Sequence, residues 1–259
     1  MRKLNQYIEE TPVKGKDERK TQRRKLKKVL RKVKDDFSVR AEKYENYQET
    51  FEGRNSFSKT DPDATFMRMK EDHMKNGQLK AAYNLQIATE NQFVLHYDIY
   101  PNPTDTRTLL PFLETYPHEL KRVVADAGYG SEENLLTLNR MGVDHLIKYG
   151  LFDKEQKKNY KESDRNLDNW TYDETTDTYT HPEGWVYQFD HLKHSHTTTG
   201  FRQEIRVYKA EQSDLAPQKG LYVNKRYQLL KVKESQALLS DEGSHIFAQR
   251  KVDVEPVFG

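Results

Sequence analysis

Asp126 ends a short apolar run, RVVA at residues 122–125, and is followed by AGYGS, with glycines at 128 and 130. Ligands of α/β sheets collect at the carboxyl ends of strands. Glycine lets the backbone turn sharply there and leaves the acid accessible. A carboxylate so placed is a natural Mg²⁺ ligand. The same residue could instead cap the helix that follows. Glu255 lies near the end of the final amphipathic segment, with Arg250 and Lys251 about one turn earlier. A Glu beside an Arg on a helix is ordinarily a surface ion pair. It gains meaning if that helix packs beside the strand carrying Asp126. Two-metal phosphoryl transfer needs several carboxylates converging on ions about 3.5–4 Å apart. It needs no nucleophilic side chain, because water or a 3′-hydroxyl attacks phosphorus in line.

Other residues offer weaker chemistry. His191, His194 and His196, with His181 nearby, have spacing that permits two zinc ligands from one ribbon. No Cys and no H-E-x-x-H accompany them, and their Thr-rich surroundings favour an exposed loop. Asp61-Pro62-Asp63 could hold a metal, but the Pro and the polar flanks favour a turn or cap. The aromatics of residues 170–189 could stack on bases, or form the core of a small sheet. No Walker A, G-x-G-x-x-G or G-x-S-x-G pattern occurs, so nucleotide-dependent, dinucleotide and serine-hydrolase chemistry has no support. The absence of cysteine excludes thiol catalysis, disulfides and Cys-ligated metal, and fits a reducing cytoplasm.

Among 259 residues the hydrophobic fraction is 34% and the charged fraction 32%. Ordinary globular chains carry about 45–50% apolar residues, glycine included. Part of the chain is therefore expected to be solvated. No apolar run can span a bilayer, and the start MRKLNQYIEE has no secretory h-region. The net charge of +2 hides an asymmetry: residues 14–34 hold twelve basic and two acidic side chains. Arg23, Arg24, Lys27, Lys28 and Arg31 lie in this stretch. They are either a solvated face or a contact for DNA phosphates.

The elements that must position these groups follow from periodicity. Residues 1–55 read as a basic helical region. Pro12 and Gly15 mark where the helix can start, and Leu26, Val29, Leu30 and Val33 form a narrow apolar stripe. A second helix over 37–51 would complete a helical hairpin, and 53–65 reads as a linker. Residues 56–150 alternate as a hairpin (83–89 and 93–100), a helix with Asp105 as its cap and Leu109, Leu110, Phe112 and Leu113 as its packed side, a strand ending at Asp126, a helix over 132–141 and a strand over 143–149. Residues 151–219 suggest a β-rich insertion. From Gly220 to 259 the chain is expected to return to helix. The class is α/β, with antiparallel and parallel parts.

Three separated blocks carry a family resemblance: KTDPDATFMRMKE with GQLKAAYNLQIATENQFVLHYDIYPNPTDTRTLLPFL, then VVADAGYGSEENL, then QRKVDVEPVFG. Together, and in this order, they resemble the catalytic domain of bacterial insertion-sequence transposases of the DDE superfamily. The resemblance implies an RNase H-like mixed sheet with flanking helices, in which three carboxylates bind two Mg²⁺ ions, or Mn²⁺ in their place. It makes Asp126 the second acid, Glu255 the last, and Arg250 the basic residue preceding it, with Lys251 beside it on phosphate. The partners it implies are double-stranded DNA at transposon ends and target, and a further copy or full-length transposase. The site of action would be the cytoplasm, at the nucleoid. The first acid of the family sits in a D-G-T-like strand that is not found before residue 14, and the chain stops at Gly259. The expectation is therefore an internal fragment, inactive and marginally stable by itself. The rival expectation is a non-catalytic DNA-binding remnant that inhibits full-length transposase. A third is an RNase H-like nuclease with another substrate.

Overall fold

A computed structural model describes residues 3, 6, 9, 10, 18–69, 74–212 and 216–258. The chain divides into two compact units, residues 1–81 and 82–259.

In the first unit, α1 (Glu18–Lys32) passes through a π-helical turn (Val33–Phe37) into α2 (Ser38–Phe51), with helical backbone at each junction. The expected helical hairpin is thus one unbroken helix. Neither Pro nor Gly interrupts residues 16–52, so nothing in the sequence stops it. It ends where Glu52 and Gly53 enter the left-handed region, at φ 45° and 78°. Leu26, Leu30 and Val33 are half-buried, Val29 is exposed, and α2 buries no residue. Pro12 and Gly15, the expected start signals, lie outside the described residues. Residues 53–64, expected as a linker, join the helix to β1 through turns and irregular chain. Arg54 donates to the carbonyls of Phe51, Thr50 and Asp63, and Phe57 packs edge-on against Tyr47 and Phe51. Asp61 and Asp63 flank a turn closed by Ala64 N–H donating to Asp61 O. Beyond it, β1 (Thr65–Arg68) pairs with β2 (Leu79–Ala82).

The second unit opens with the antiparallel hairpin β3 (Asn84–Glu90) and β4 (Phe93–Tyr100). Asn91 and Gln92 both have positive φ, as a two-residue hairpin turn requires. The polar face of β3 points inward, with Gln86 4% exposed, while Leu85 is exposed. A 3₁₀ turn (Asp105–Arg107) leads into α3 (Leu109–Thr115), which buries Leu109 and Phe112. Then β5 (Arg122–Ala125), α4 (Glu132–Met141) and β6 (Asp144–Ile147) form a parallel unit, Val124 opposite Leu146. Both faces of this pair are covered, as parallel strands require. On one side Ala125, Ile147 and Val143 pack with Leu135, Leu138 and Leu109. On the other, Leu146 packs with Tyr149, Phe152 and Leu238. The α/β class holds. Among the described residues β3–β4 and β5–β6 form two separate two-stranded sheets.

Short helices α5 (Phe152–Glu155) and α6 (Lys158–Lys161) precede the insertion. It is a five-stranded antiparallel sheet in the order β11-β10-β9-β8-β7, built from β7 (Thr171–Asp173), β8 (Thr178–Thr180), β9 (Val186–His196), β10 (Arg202–Ala210) and β11 (Gly220–Val223). Its aromatics form a core of Trp170, Tyr179, Tyr187 and Tyr208, with Val223. Two expectations change here. Residues 220–223 are a strand and not the start of a helix, because Val223 is needed in that core opposite Arg206. His191, His194 and His196 are exposed as expected, but on strand β9 and not in a loop. His181 is buried edge-on against Trp170, and its Nδ1 accepts from Glu183 N–H. Helices α7 (Lys225–Leu239) and α8 (Asp241–Phe258) complete the unit. No helix among the described residues is long and apolar enough to cross a membrane.

Glu234 of α7 ties helix to sheet. Its Oε2 accepts from Ile147 N–H at 3.0 Å, and its Oε1 lies 2.6 Å from His145 Nδ1, both side chains being buried. This covers the outer edge of β6. Glu234→Ala leaves the buried Ile147 N–H without its acceptor, and is expected to cost about 1–3 kcal/mol. Glu234→Gln keeps an acceptor and is expected to cost less. Urea unfolding of the two variants checks the order.

Candidate active site

Asp126 stands at the carboxyl end of β5, with its side chain 49% exposed. It does not cap α4. That role belongs to Ser131, whose Oγ accepts from Asn134 N–H at 3.2 Å. Asp126 Oδ1 instead accepts from Gly128 N–H at 3.0 Å, and Oδ2 lies 3.2 Å from Arg250 Nη2. Arg250 comes from α8, which packs across β3, β4 and β5. The condition set by the sequence is therefore met: the last helix lies beside the strand of Asp126.

The turn after Asp126 is shaped by close approach. Neither Gly128 nor Gly130 has positive φ. A Cβ on Gly130 would stand 2.1 Å from the Lys148 carbonyl oxygen, in the chain leaving β6. A Cβ on Gly128 would stand 2.9 Å from Asp105 Oδ2 and 3.1 Å from Asp126 Oδ1. Two carboxylates therefore flank Gly128. The sequence suggests that Asp105 caps a helix with its side chain. In the structure its Oδ1 accepts instead from Asn84 Nδ2 at 2.7 Å and Gln86 Nε2 at 3.2 Å. Tyr129 donates to Gln86 Oε1, which explains why the polar face of β3 is the buried one. Burial, and then the negative charges of Asp105 and Asp126, push the Tyr129 hydroxyl far above its usual range, so it stays a donor. Thr106 donates to Gly128 O at 2.8 Å, Asn134 Nδ2 to Tyr129 O at 2.9 Å, and Tyr227 to Gly130 O at 2.5 Å. Burial raises the Tyr227 hydroxyl to about 12.

The remaining nominated residues are more dispersed. Glu255 is exposed on α8 and forms no hydrogen bond or ion pair with Asp126. Lys251 is exposed. Arg24, Lys27, Lys28 and Arg31 are exposed on α1, and Arg23 is half-buried there. Among the described residues no group of three or more acids or histidines is gathered closely enough to hold a metal ion. The oxygen donors at Asp105 and Asp126 have the hardness that Mg²⁺ or Mn²⁺ prefers. Their number falls short of a complete site.

Sequence reasoning missed Asp105, Asn84 and Gln86 as neighbours of the site, and also Glu132. Glu132 is 2% exposed. Its carboxylate receives Arg226 Nε at 2.6 Å, Asn224 Nδ2 at 2.7 Å and Gln203 Nε2 at 3.0 Å. The one signal in the sequence is alternation in β3, which sorts Asn84 and Gln86 onto a single face without saying which face is inward.

A family model described as "Transposase DDE domain" matches residues 55–259. No curated protein and no solved structure matches the chain.

The two glycines of the turn should behave differently. Gly130→Ala drives a methyl into backbone and is expected to cost about 1–3 kcal/mol or more. Gly128→Ala meets side-chain atoms of Asp105 and Asp126 and no backbone among its nearest neighbours, so it should displace the carboxylates with a smaller loss of stability. Thermal unfolding of both variants checks this.

Proposed function

The chain belongs to the transposase DDE domain family, and on that premise we propose that it is an RNase H-like catalytic domain for cutting and joining DNA at insertion-sequence ends. DNA is the family's substrate, and its members use divalent metal ions. The observation that carries the proposal is the placement of Asp126. It is a half-exposed carboxylate at the carboxyl end of a parallel strand, braced by its own turn and reached by the last helix.

In this reading Asp126 and Glu255 are the metal-holding acids of the catalytic centre, and Asp105 lies beside Asp126. Divalent ions, when bound, supply charge neutralisation and lower the pKa of the attacking water or 3′-hydroxyl. The chain's own residues do the rest. Gly128 N–H fixes the rotation of the Asp126 carboxylate. Arg250 balances its charge, and on DNA binding Arg250 and Lys251 turn to phosphate. Arg23, Arg24, Lys27, Lys28 and Arg31 add contacts with the backbone of double-stranded DNA, in the cytoplasm at the nucleoid. Strand transfer joins two DNAs and suits an assembly with a second copy or with full-length transposase.

A second reading has an observation of its own. The Asp126 carboxylate is already matched by a guanidinium, while most of the nominated α1 cations are exposed. A non-catalytic DNA-binding protein that inhibits active transposase would show both features.

Titration of Mg²⁺ and Mn²⁺ into the chain separates the two. The catalytic reading expects binding that Asp126→Asn weakens by more than about tenfold, since ligand charge sets affinity for hard cations. It also expects Arg250→Gln to tighten that binding by removing a competing cation. Equal binding, or none, in wild type and Asp126→Asn would put the DNA-binding reading first.

A further inference from the structure

A cavity of about 420 Å³ opens where the insertion meets α4 and α7, lined by Arg140, Phe201, Arg202, Glu204 and Arg226. Three arginines come from three elements: the end of α4, the start of β10 and the first turn of α7. Arg226 is fixed in place. Its Nε pairs with Glu132 at 2.6 Å, its Nη2 donates to the Arg202 carbonyl at 2.9 Å, and its guanidinium lies 5.2 Å from the Phe201 ring centre. Arg140 and Arg202 are exposed, and neither forms an ion pair among the described residues. Glu204 in the same lining and Glu132 on Arg226 offset part of this charge, and the exposed Arg140 and Arg202 guanidinium groups remain as donors for a further anion.

A second cavity, of about 310 Å³, also has Phe201 in its wall and is lined by the β9–β10 turn, Thr106, Arg107 and Ser131, with the acids Glu132 and Glu133 among them. Thr199 of that turn donates to Glu133 at the start of α4, which holds the hairpin tip over the core. Thr106 donates to Gly128 O at 2.8 Å, so the floor of the second cavity touches the turn that carries Asp126. The exposed arginines are the donors that proteins direct at phosphate oxygens, while the Thr106 and Thr199 hydroxyls are committed to Gly128 O and Glu133.

We propose that these two neighbouring cavities mark a DNA-backbone track, with Arg140 and Arg202 holding phosphates beside the fixed Arg226 and guiding the strand toward Asp126. It rests on the reading of Asp126 as the catalytic acid. It uses none of the α1 cations.

The test is equilibrium binding of double-stranded DNA to the full chain in EDTA at several salt concentrations. Arg226 is left intact because it is tied to buried Glu132. The Arg140→Ala/Arg202→Ala double variant is expected to bind about tenfold or more weakly at low salt. The slope of log affinity against log salt should flatten by about two, nearly one for each phosphate that is no longer neutralised. Glu204→Gln removes the cavity's exposed acid and should tighten binding about twofold, a gain that misfolding could not mimic. Unchanged affinity and slope in the double variant would overturn the proposal. So would loss of pyrophosphate binding with the DNA slope unchanged, which would make the cavities a small-anion site. EDTA keeps metal out of the measurement. Failure of the metal titration is therefore a separate result from failure of the track.

Discussion

A carboxylate buried as deeply as Glu132 must be matched by donors, because an unpaired buried charge is far costlier than any single contact is stabilising. Glu132 begins the helix that follows the Asp126 turn, and its donors arrive from β10, from the cap of α7 and from α7 itself. Meeting that demand brings the insertion sheet, the parallel pair and α7 to one point. It also holds Arg226 against the Arg202 carbonyl, and it sets Asn224 beside the start of α7, where its Oδ1 accepts from Tyr227 N–H. The Tyr227 hydroxyl then reaches back 97 residues to Gly130. The turn that displays Asp126 is thus held from one side by the parallel sheet and from the other by elements remote in sequence.

The same logic explains what can be read from residues alone. The strand ending at Asp126, the helix after it and the packed side of α3 are legible, because each is a local pattern of apolar residues: a short run in the strand and helical spacing in the helices. The inward polar face of β3 is not. Alternation separates Asn84 and Gln86 from Leu85 and Ile87 but gives both faces equal standing. The choice is made by Asp105 and Tyr129, which lie between 19 and 43 residues further along. Residues 220–223 hide their strand for a related reason. A four-residue apolar run has no period to show, and only the unfilled edge of β10 makes it a strand.

The helical hairpin fails on a different point. Its two halves differ in charge, basic before Lys34 and more acidic after Asp35, which invites a boundary there. Charge does not break a helix, whereas Pro and Gly do, and none lies between residues 16 and 52. The glycines at 128 and 130 matter, but not for the sharp turning that the sequence suggests. Both keep ordinary φ, and what each supplies is the missing Cβ.

Arg250 gives the site its character. An ionised carboxylate offers about four acceptor positions, and Asp126 uses one for Gly128 N–H and one for Arg250, which leaves room on its open side. A guanidinium at 3.2 Å keeps that carboxylate from facing an unbalanced field while no other cation is near. Among the described residues its polar contact is that one, and the ring of Phe247 lies 6.0 Å away. Arg226, by contrast, is gripped by a buried acid and a carbonyl and cannot swing. The two arginines thus differ in setting: Arg250 has one carboxylate partner at a half-exposed site, and Arg226 is shared between a buried acid and a backbone carbonyl.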